Sequence, residues 1–336
     1  MTGAGAPGGP GIIKCLKKIP NSKLIVADAD DNASGRYLNN SFIKIPKANN
    51  PKFIEHVLNI CIKMDIHVIF PLVTNELFIF SKNKDLFFEN NIKVIVSDFE
   101  SLSIANNKSL LYQHLKKNGI KTPMHRVVSN FNEFYRAREE LLSIHSSYCI
   151  KPSISNGSRG VRLVDNSVSE FDLLFNKKPN SLYMTDDKIC SILKNNTFPE
   201  LLLAEILPGN EYTIDSLVDI SGNPILIIPR LRKKINAGIS IAGKFEKNVK
   251  IIKYCRKIIK SLKLLGPIGI QVKEDMNGEF RILEINPRIQ GTSVAALGLG
   301  VNLPKLAVEI INGKKINIPK IKWNTEFIRY YEELFF

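Results

Sequence analysis

The chain of 336 residues is long enough to bury a substantial core and to form two or three subdomains. Its composition, 44% hydrophobic and 24% charged, is that of a globular protein, and no apolar stretch approaches the roughly 20 residues that span a bilayer. The formal charge of +15 raises the question of nucleic acid, but the densest basic run, 230–234, is short and lacks interleaved aromatic residues. We therefore expect neither a membrane nor a nucleic-acid partner.

The cysteines indicate a reducing compartment. They are scattered, odd in number and without a CxxC motif, at Cys15, Cys61, Cys149, Cys190 and Cys255. The N-terminus is rich in glycine and proline and lacks the charged-then-apolar order of a signal peptide. The sequence therefore predicts a cytoplasmic protein with reduced thiols.

The first 100 residues or so alternate between strand and helix patterns. Short apolar runs at 23–27, 67–72 and 92–96 predict strands, and helical spacing of apolar residues predicts helices over 51–64 and 76–88. Strands that alternate with helices predict a parallel α/β sheet.

A glycine-rich loop opens the chain. Gly3, Gly5 and Gly8 fit the G-x-G-x-x-G spacing of a dinucleotide-binding turn, and Asp28 or Asp30 follows where such a turn has its acidic residue. Only two residues precede the loop, so the strand that should feed it is nearly absent, which suggests a truncated or misassigned start. A true NAD site and a structural or substrate-facing loop both remain open.

Candidate phosphate-binding residues come next in the chain. Lys108 precedes a helix, and Lys151 ends an apolar run before a loop of small residues. A lysine supplies a point charge to phosphate, and the backbone N–H groups of such a loop can wrap a polyphosphate. The loop candidates are Ser155, Gly157, Ser158 and Gly160. The alternative is an ordinary hairpin loop.

Two alternating runs near the C-terminus carry the strongest chemical signal. They are joined by a turn at Asn277-Gly278, which predicts a hairpin. Glu284, Asn286 and Arg288 should point the same way because side chains alternate along a strand, and Gln271 can join them from the neighbouring strand. This hard-oxygen cluster suits magnesium held through a carboxylate and substrate phosphates. An amphipathic hairpin with a polar face is the alternative.

These motifs resemble those of the ATP-grasp superfamily. The string Glu-Ile-Asn-Pro-Arg, with a glutamine thirteen residues before its glutamate, is similar to the metal-binding strands of the carbamoyl-phosphate-synthetase-like branch. The string Glu-Ile-Leu-Pro-Gly-Asn-Glu-Tyr-Thr-Ile-Asp at 205–215 resembles the same branch. The motifs appear in the family order over almost the whole chain.

The resemblance implies an α/β fold with three parts. Residues 1–100 would form a parallel, Rossmann-like α/β pre-ATP-grasp domain, whose glycine-rich loop binds no dinucleotide. Residues 101–198 would form a lid subdomain, and residues 199–336 an α+β base with an antiparallel sheet. ATP would lie between lid and base.

The resemblance also implies a role for each candidate residue. Lys108, Lys151 and the loop would hold phosphates, with Lys151 and Arg288 acting on the transferring phosphoryl group. The backbone of Glu205, Ile206 and Leu207 would read the adenine, and Glu211 would accept hydrogen bonds from the ribose. Ser240 would border the site, at the position where the synthetase large chain has a histidine. Gln271, Glu284 and Asn286 would hold Mg²⁺ or Mn²⁺.

The implied reaction is ATP-dependent ligation through an acyl phosphate, giving ADP and phosphate. The substrates would be a small carboxylate and an amine or another nucleophile, and self-association into a homodimer stays open. The chain has one ATP module and no glutaminase-like segment, so we do not expect it to make carbamoyl phosphate alone. Two alternatives are an NAD(P)-dependent oxidoreductase that uses the glycine-rich loop and a nucleotide-binding pseudoenzyme.

Overall fold

The computed structural model describes residues 1–155, 159–176, 182–236 and 238–336. The chain forms two compact units, and each is discontinuous in sequence. Unit one contains Met1–Ala105, Glu211–Val272 and Leu283–Phe336, and unit two contains Asn106–Asn210 and Lys273–Ile282. The three-part division at residues 100 and 198 stays a prediction.

The N-terminal part of unit one alternates helices and short strands. Its helices are α1 (Gly9–Leu16), α2 (Ser34–Leu38), α3 (Phe53–Lys63), α4 (Thr74–Lys82), α5 (Lys84–Glu89) and α6 (Phe99–Asn106). Its strands are β1 (Val26–Asp28), β2 (Phe42–Lys44), β3 (Val68–Ile69) and β4 (Lys93–Val94). Both strand pairs, β1–β2 and β3–β4, are parallel.

Thr2 joins these two strand pairs. It forms parallel bridges with Ala27 of β1 and with Pro71 just after β3. The resulting order, β2–β1–Thr2–β3–β4, is the order of a doubly wound dinucleotide-binding sheet. The predicted parallel α/β sheet is therefore confirmed, with the first strand reduced to a bridge.

The predicted elements of this part are longer than those in the structure. The strands predicted over 67–72 and 92–96 contain only two paired residues each, in β3 and β4. The single helix predicted over 76–88 is wrong, because it breaks at Asn83 into α4 and α5. The Asn83 side chain donates to the carbonyl oxygen of Ile79 at 2.8 Å, a local bond that competes with continuation of the helix.

The rest of unit one is built on a six-stranded sheet in the order β14-β13-β10-β11-β12-β15. The strands are β10 (Glu211–Val218), β11 (Pro224–Asn236), β12 (Ile239–Phe245), β13 (Gly266–Glu274), β14 (Phe280–Asn286) and β15 (Glu326–Ile328). The pairs β10–β11, β11–β12 and β12–β15 are antiparallel, as predicted. The helices are α11 (Val249–Leu262), α12 (Leu303–Ile311) and a 3-10 helix at Ser293–Leu299.

Unit two is built on a five-stranded sheet in the order β5-β9-β6-β7-β8. Its strands are β5 (His125–Val128), β6 (Tyr148–Pro152), β7 (Arg162–Val164), β8 (Tyr183–Met184) and β9 (Leu201–Glu205). Its helices are α7 (Lys108–Lys117), α8 (Phe131–Leu142), α9 (Glu170–Phe175) and α10 (Asp186–Lys194). Phe134 and Leu141 of α8 pack with Tyr148 and Leu203 in its core.

The part of the chain that the structure describes contains no single helix with the length and apolarity to cross a membrane. The 3-10 helix and α12 satisfy those two criteria only as a pair, bent by 100°. Leu299, Leu303 and Leu306 of this pair lie in the main hydrophobic core of unit one.

Candidate active site

The predicted metal-binding side chains lie on β13 and β14. Glu284 and Asn286 are two residues apart on β14, and Asn286 Nδ2 lies 3.3 Å from Glu284 Oε1, so the two side chains share a face as the alternation predicts. Gln271 lies on the neighbouring strand, β13, and all three side chains are half-buried. Among the described residues, no cluster of three or more His, Cys, Asp or Glu could hold a metal ion. A magnesium shell here would therefore need the two amide oxygens and a bound phosphate beside the single carboxylate.

Arg288, the predicted catalytic arginine, lies just beyond β14. Its Nε donates to Thr74 Oγ1 at 3.1 Å, on the first residue of α4, and its Nη1 donates to the carbonyl oxygen of Ile289 at 2.9 Å. Desolvation by burial lowers the pKa of the Arg288 guanidinium, and the negative charge of Glu284 opposes that shift. The contact with Thr74 was not predicted, because the two residues are 214 positions apart.

Glu211 and Ser240 are both bonded to one buried arginine, Arg232. Glu211 begins β10 and forms an ion pair with Arg232 through Oε1 and Nη1. Ser240 on β12 accepts from Arg232 Nε at 3.1 Å. Arg232 Nη1 also donates to Oε1 of Gln271 at 3.3 Å. The sequence analysis noted Arg232 only as part of the short basic run 230–234, and the alternation of Arg230 and Arg232 along β11 was the available signal.

A buried polar network supports the strands that carry these residues. Arg230 Nε donates to Asp215 Oδ2 at 3.2 Å, and neither side chain is exposed. Ser293, in the 3-10 helix, donates to Asp215 Oδ1 at 2.5 Å. The network ties β10 and β11 to the segment that follows β14.

Lys108 and Ser155, both predicted to bind phosphate, are in contact within unit two. Lys108 is the first residue of α7 and is buried, and Asn107 caps the helix by accepting from the N–H groups of Ser109 and Leu110. Lys108 Nζ donates to the carbonyl oxygen and to the hydroxyl of Ser155, each at 3.2 Å. The ammonium group is thus held against the beginning of the predicted phosphate loop.

Lys151 on β6 is also buried, and it is bonded to α7. Its Nζ lies 3.2 Å from the hydroxyl of Tyr112, which donates to the carbonyl oxygen of Ile282 at 2.8 Å. Tyr112 is one turn beyond Lys108 on α7, so the helix brings both predicted phosphate lysines towards one of its faces. Tyr112 was not among the predicted site residues, because a tyrosine within an apolar helical pattern gives no chemical signal.

The other unit-two candidates are placed as follows. Glu205 ends β9, where its N–H donates to the carbonyl oxygen of Met124 at 3.0 Å and its Oε1 accepts from the N–H of Met124 at 2.7 Å. Leu207 is buried and Ile206 is half-buried. Gly160 has φ +76°, and a Cβ there would lie 2.6 Å from the Pro152 ring, so this position requires glycine. Gly157 and Ser158 lie outside the described residues.

The glycine-rich loop packs closely within unit one. The N–H of Gly5 donates to Asp28 Oδ2 at 2.7 Å, so the candidate ribose-binding acid is bonded to the loop itself. A Cβ on Gly8 would lie 2.1 Å from the Cα of Gly291. This close backbone approach favours a packing role for Gly8 over the dinucleotide interpretation.

Comparisons with known proteins agree with this architecture. Residues 197–331 match the family described as ATP-grasp in the biosynthetic pathway with Ter operon, and residues 10–95 match the PylC-like N-terminal domain. The carbamoyl phosphate synthase large chain of Clostridium acetobutylicum is 28% identical over 243 residues, covering 69% of this chain and 21% of that protein. The large chain from Thermotoga maritima is 24% identical over 248 residues, covering 69% of this chain and 20% of its own length. The chain therefore spans about a fifth of the length of these relatives.

Solved structures share the fold. An ADP complex of N5-carboxyaminoimidazole ribonucleotide synthetase superimposes with a TM-score of 0.70 at 16% identity, over 93% of this chain and 76% of that chain. Biotin carboxylase from Campylobacter jejuni, in complex with β,γ-ATP, gives a TM-score of 0.68 at 17% identity, over 94% of this chain and 71% of that chain. L-amino acid ligase from Bacillus licheniformis gives a TM-score of 0.63 at 15% identity, over 91% of this chain and 72% of that chain. The two family models match residues 10–95 and 197–331, and the solved structures share the fold, which confirms the resemblance to the ATP-grasp superfamily that the motifs predicted.

Proposed function

We propose that the chain is an ATP-dependent ligase that joins a small carboxylate to an amine through an acyl phosphate. The observation that carries this proposal is the shared face of Glu284 and Asn286 on β14, next to Gln271 on β13. The three side chains supply oxygen ligands of the kind that magnesium takes together with substrate phosphates. They lie within the segment that matches the ATP-grasp family.

The proposed roles follow the chemistry of each side chain. Lys108 and Lys151 neutralise phosphate oxygens of ATP, and their buried settings strengthen that electrostatic interaction. Glu211 accepts hydrogen bonds from the ribose hydroxyls, and the backbone of residues 205–207 binds the adenine. When bound, Mg²⁺ offsets the phosphate charge and orients the transferring group. Arg288 holds its charge near Glu284 and stabilises the phosphoryl group in transfer.

The reaction proceeds in two displacements. An oxygen of the substrate carboxylate attacks the γ-phosphorus, the bond to the bridging oxygen breaks, and ADP leaves. The amine nitrogen then attacks the acyl carbon, inorganic phosphate leaves with the carboxylate oxygen, and the amine loses a proton. Catalysis of this kind depends on positioning and charge neutralisation and requires no covalent group on the protein.

A hydroxylamine screen tests the proposal before either substrate is known. Hydroxylamine replaces the amine and traps the acyl phosphate as a hydroxamate, which is measured by the colour of its iron(III) complex. Incubation with Mg-ATP and pooled carboxylates should give hydroxamate and ADP in equal amounts for one carboxylate class. Glu284→Gln serves as the matched control, because it keeps the side-chain size and removes the charge. Formation of AMP and pyrophosphate would contradict the mechanism.

Nucleotide choice separates this proposal from the oxidoreductase alternative. A ligand present at a hundredfold excess over its Kd stabilises the folded state by about 2.7 kcal/mol. Mg-ATP should therefore raise the melting temperature, and NADH should not. Stabilisation by NADH without stabilisation by Mg-ATP would favour the oxidoreductase.

A further inference from the structure

Arg232 on β11 is hydrogen-bonded to four neighbouring groups, and none of the sequence motifs assigns it a role. We propose that Arg232 is a positioning residue, which sets Glu211 to receive the ribose and Gln271 to present its oxygen to the metal. The inference rests on the proposed function, because it concerns how two residues of that site are held.

The geometry of the guanidinium is the first support. Its Nε donates to Ser240 Oγ at 3.1 Å, and its Nη2 donates to the carbonyl oxygen of Gly238 at 2.6 Å. Its Nη1 contacts both Glu211 Oε1 and Gln271 Oε1. A planar guanidinium has five N–H donors in a fixed arrangement, so bonds made with all three nitrogens hold it in one orientation. The acceptors lie on β10, on β13 and on the turn and start of β12.

Exposure shows which partner faces outwards. The Arg232 side chain is only 4% exposed, whereas that of Glu211 is 21% exposed. The arginine therefore lies beneath the carboxylate and supports it from the protein side. Among the described residues the ion pair with Arg232 uses Oε1 of Glu211, so Oε2 can accept from a ribose hydroxyl.

Arg232 also fixes the orientation of the Gln271 side-chain amide at the proposed magnesium site. A glutamine amide presents an oxygen on one side and an NH2 group on the other, and only the oxygen can bind magnesium. Arg232 is a donor with no acceptor, so it selects the amide orientation in which Oε1 lies at 3.3 Å from Nη1. That oxygen has a second lone pair for the metal. The charge of Arg232 is matched by Glu211, so the pair adds no net charge beside the metal.

The local strand irregularities explain how Arg232 reaches these partners. It pairs with Gly243 of β12, and the register then shifts, because Lys234 pairs with Ala242 and Lys233 is left as a bulge. A second shift follows between Lys234 and Ile235. β-Bulges re-aim side chains and are frequent next to active sites. The small Ser240 side chain, where the resembling large chain has a histidine, leaves room for the guanidinium and accepts its Nε–H.

The test uses three variants of the full chain. Arg232→Met removes the donors and the charge at similar length, and Arg232→Lys keeps the charge without the planar fork. Lys233→Met is the matched control, because it removes a cation from the next residue, whose 42% exposed side chain pairs with Glu326. Two quantities are measured: the ratio of the Kd values of 2′-deoxy-ATP and ATP, and the Mg²⁺ concentration that half-saturates ATP turnover. Thermal melting reports the integrity of the fold.

In Arg232→Met the ratio of Kd values should fall by about tenfold towards unity, and half-saturation should require about tenfold more Mg²⁺, because hydrogen bonds to charged groups contribute at that level. Lys233→Met should match the wild type in both. If Arg232→Met does not fold, Arg232→Lys is held to the same two measurements. Unchanged values in a folded Arg232 variant, or a wild type that binds ATP without discriminating 2′-deoxy-ATP, would overturn the inference. A wild type that binds no ATP would instead refute the proposed function.

Discussion

The buried pair of Asp215 and Arg230 should control the stability of unit one. Neither side chain is exposed, and Nη1 and Nη2 of Arg230 have no hydrogen-bond partner among the described residues. Asp215 therefore provides the negative charge that compensates the buried guanidinium of Arg230. The centre of the guanidinium also lies 5.4 Å from the centroid of the Phe327 ring. Asp215→Asn keeps the shape and an acceptor for Ser293 but leaves the Arg230 charge buried. We expect it to lower the free energy of unfolding by about 3–5 kcal/mol.

Two further variants separate the charge from the shape. In the double variant Asp215→Asn with Arg230→Met, the uncompensated charge is gone, so the double variant should be more stable than Asp215→Asn alone by about 2 kcal/mol or more. Lys44→Met breaks the exposed pair with Asp31 and should change the free energy of unfolding by less than about 1 kcal/mol.

Urea denaturation followed by fluorescence provides the measurement. Trp323 is the single tryptophan and packs against the main core of unit one, so its emission reports the unfolding of that unit. The reasoning is refuted if Asp215→Asn unfolds within about 1 kcal/mol of the wild type, since loss of a buried partner must exceed that amount. It is also refuted if the destabilisation of the double variant equals the sum of the effects of Asp215→Asn and Arg230→Met, each measured alone.

Three further predictions concern titration, packing and catalysis. Burial raises the pKa of the Glu76 carboxyl from its ordinary value of 4.5 to about 7. Between these two pH values the folded state keeps a proton that the unfolded state has lost. The free energy of unfolding should therefore fall by on the order of 3 kcal/mol as the pH rises from 4.5 to 7 and level off above it. Glu76→Gln should lack this pH dependence of the free energy of unfolding. If chemical denaturation gives parallel pH profiles of that free energy for the variant and the wild type, the prediction is wrong. Gly8→Ala should destabilise by about 2–3 kcal/mol, because its Cβ meets the backbone of Gly291, whereas Gly298→Ala, with its nearest contact at 3.3 Å, should remain within about 1 kcal/mol in the same denaturation assay. If Gly8→Ala and Gly298→Ala lower the free energy of unfolding equally, the loop around Gly8 moves to accommodate the added methyl group, and the prediction is wrong. Glu284→Gln should lower ATP turnover by about a hundredfold or more while retaining part of the ATP affinity measured by calorimetry, and wild-type turnover would exclude Glu284 as a metal ligand.

Local patterns in the sequence predicted the features that depend on neighbouring residues. The two-residue period of a strand placed Glu284 and Asn286 on one face, and Asn277-Gly278 marked the turn before them, where Gly278 has φ +69°. The alternation of strands and helices predicted the parallel N-terminal sheet. Each of these inferences uses residues that lie within about one element of each other.

Contacts between distant residues gave no such signal. Arg288 and Thr74 are 214 positions apart, and Gly8 approaches Gly291 across most of the chain. The contacts of Arg232 with residues on β10, β12 and β13 depend on the order of the strands in the folded sheet, which the sequence does not give. The helix break at Asn83 was missed for another reason, because a single side-chain bond to a backbone carbonyl outweighs a helical pattern of apolar residues.

Transfer of an ¹⁸O label tests the central claim, ligation through an acyl phosphate, most directly. The carboxylate that the hydroxylamine screen identifies is labelled with ¹⁸O in both oxygens and turned over with Mg-ATP and an amine. The account predicts that each phosphate released carries one ¹⁸O, because the oxygen that attacks the γ-phosphorus leaves with phosphate. Unlabelled phosphate, or label found in AMP, would contradict it.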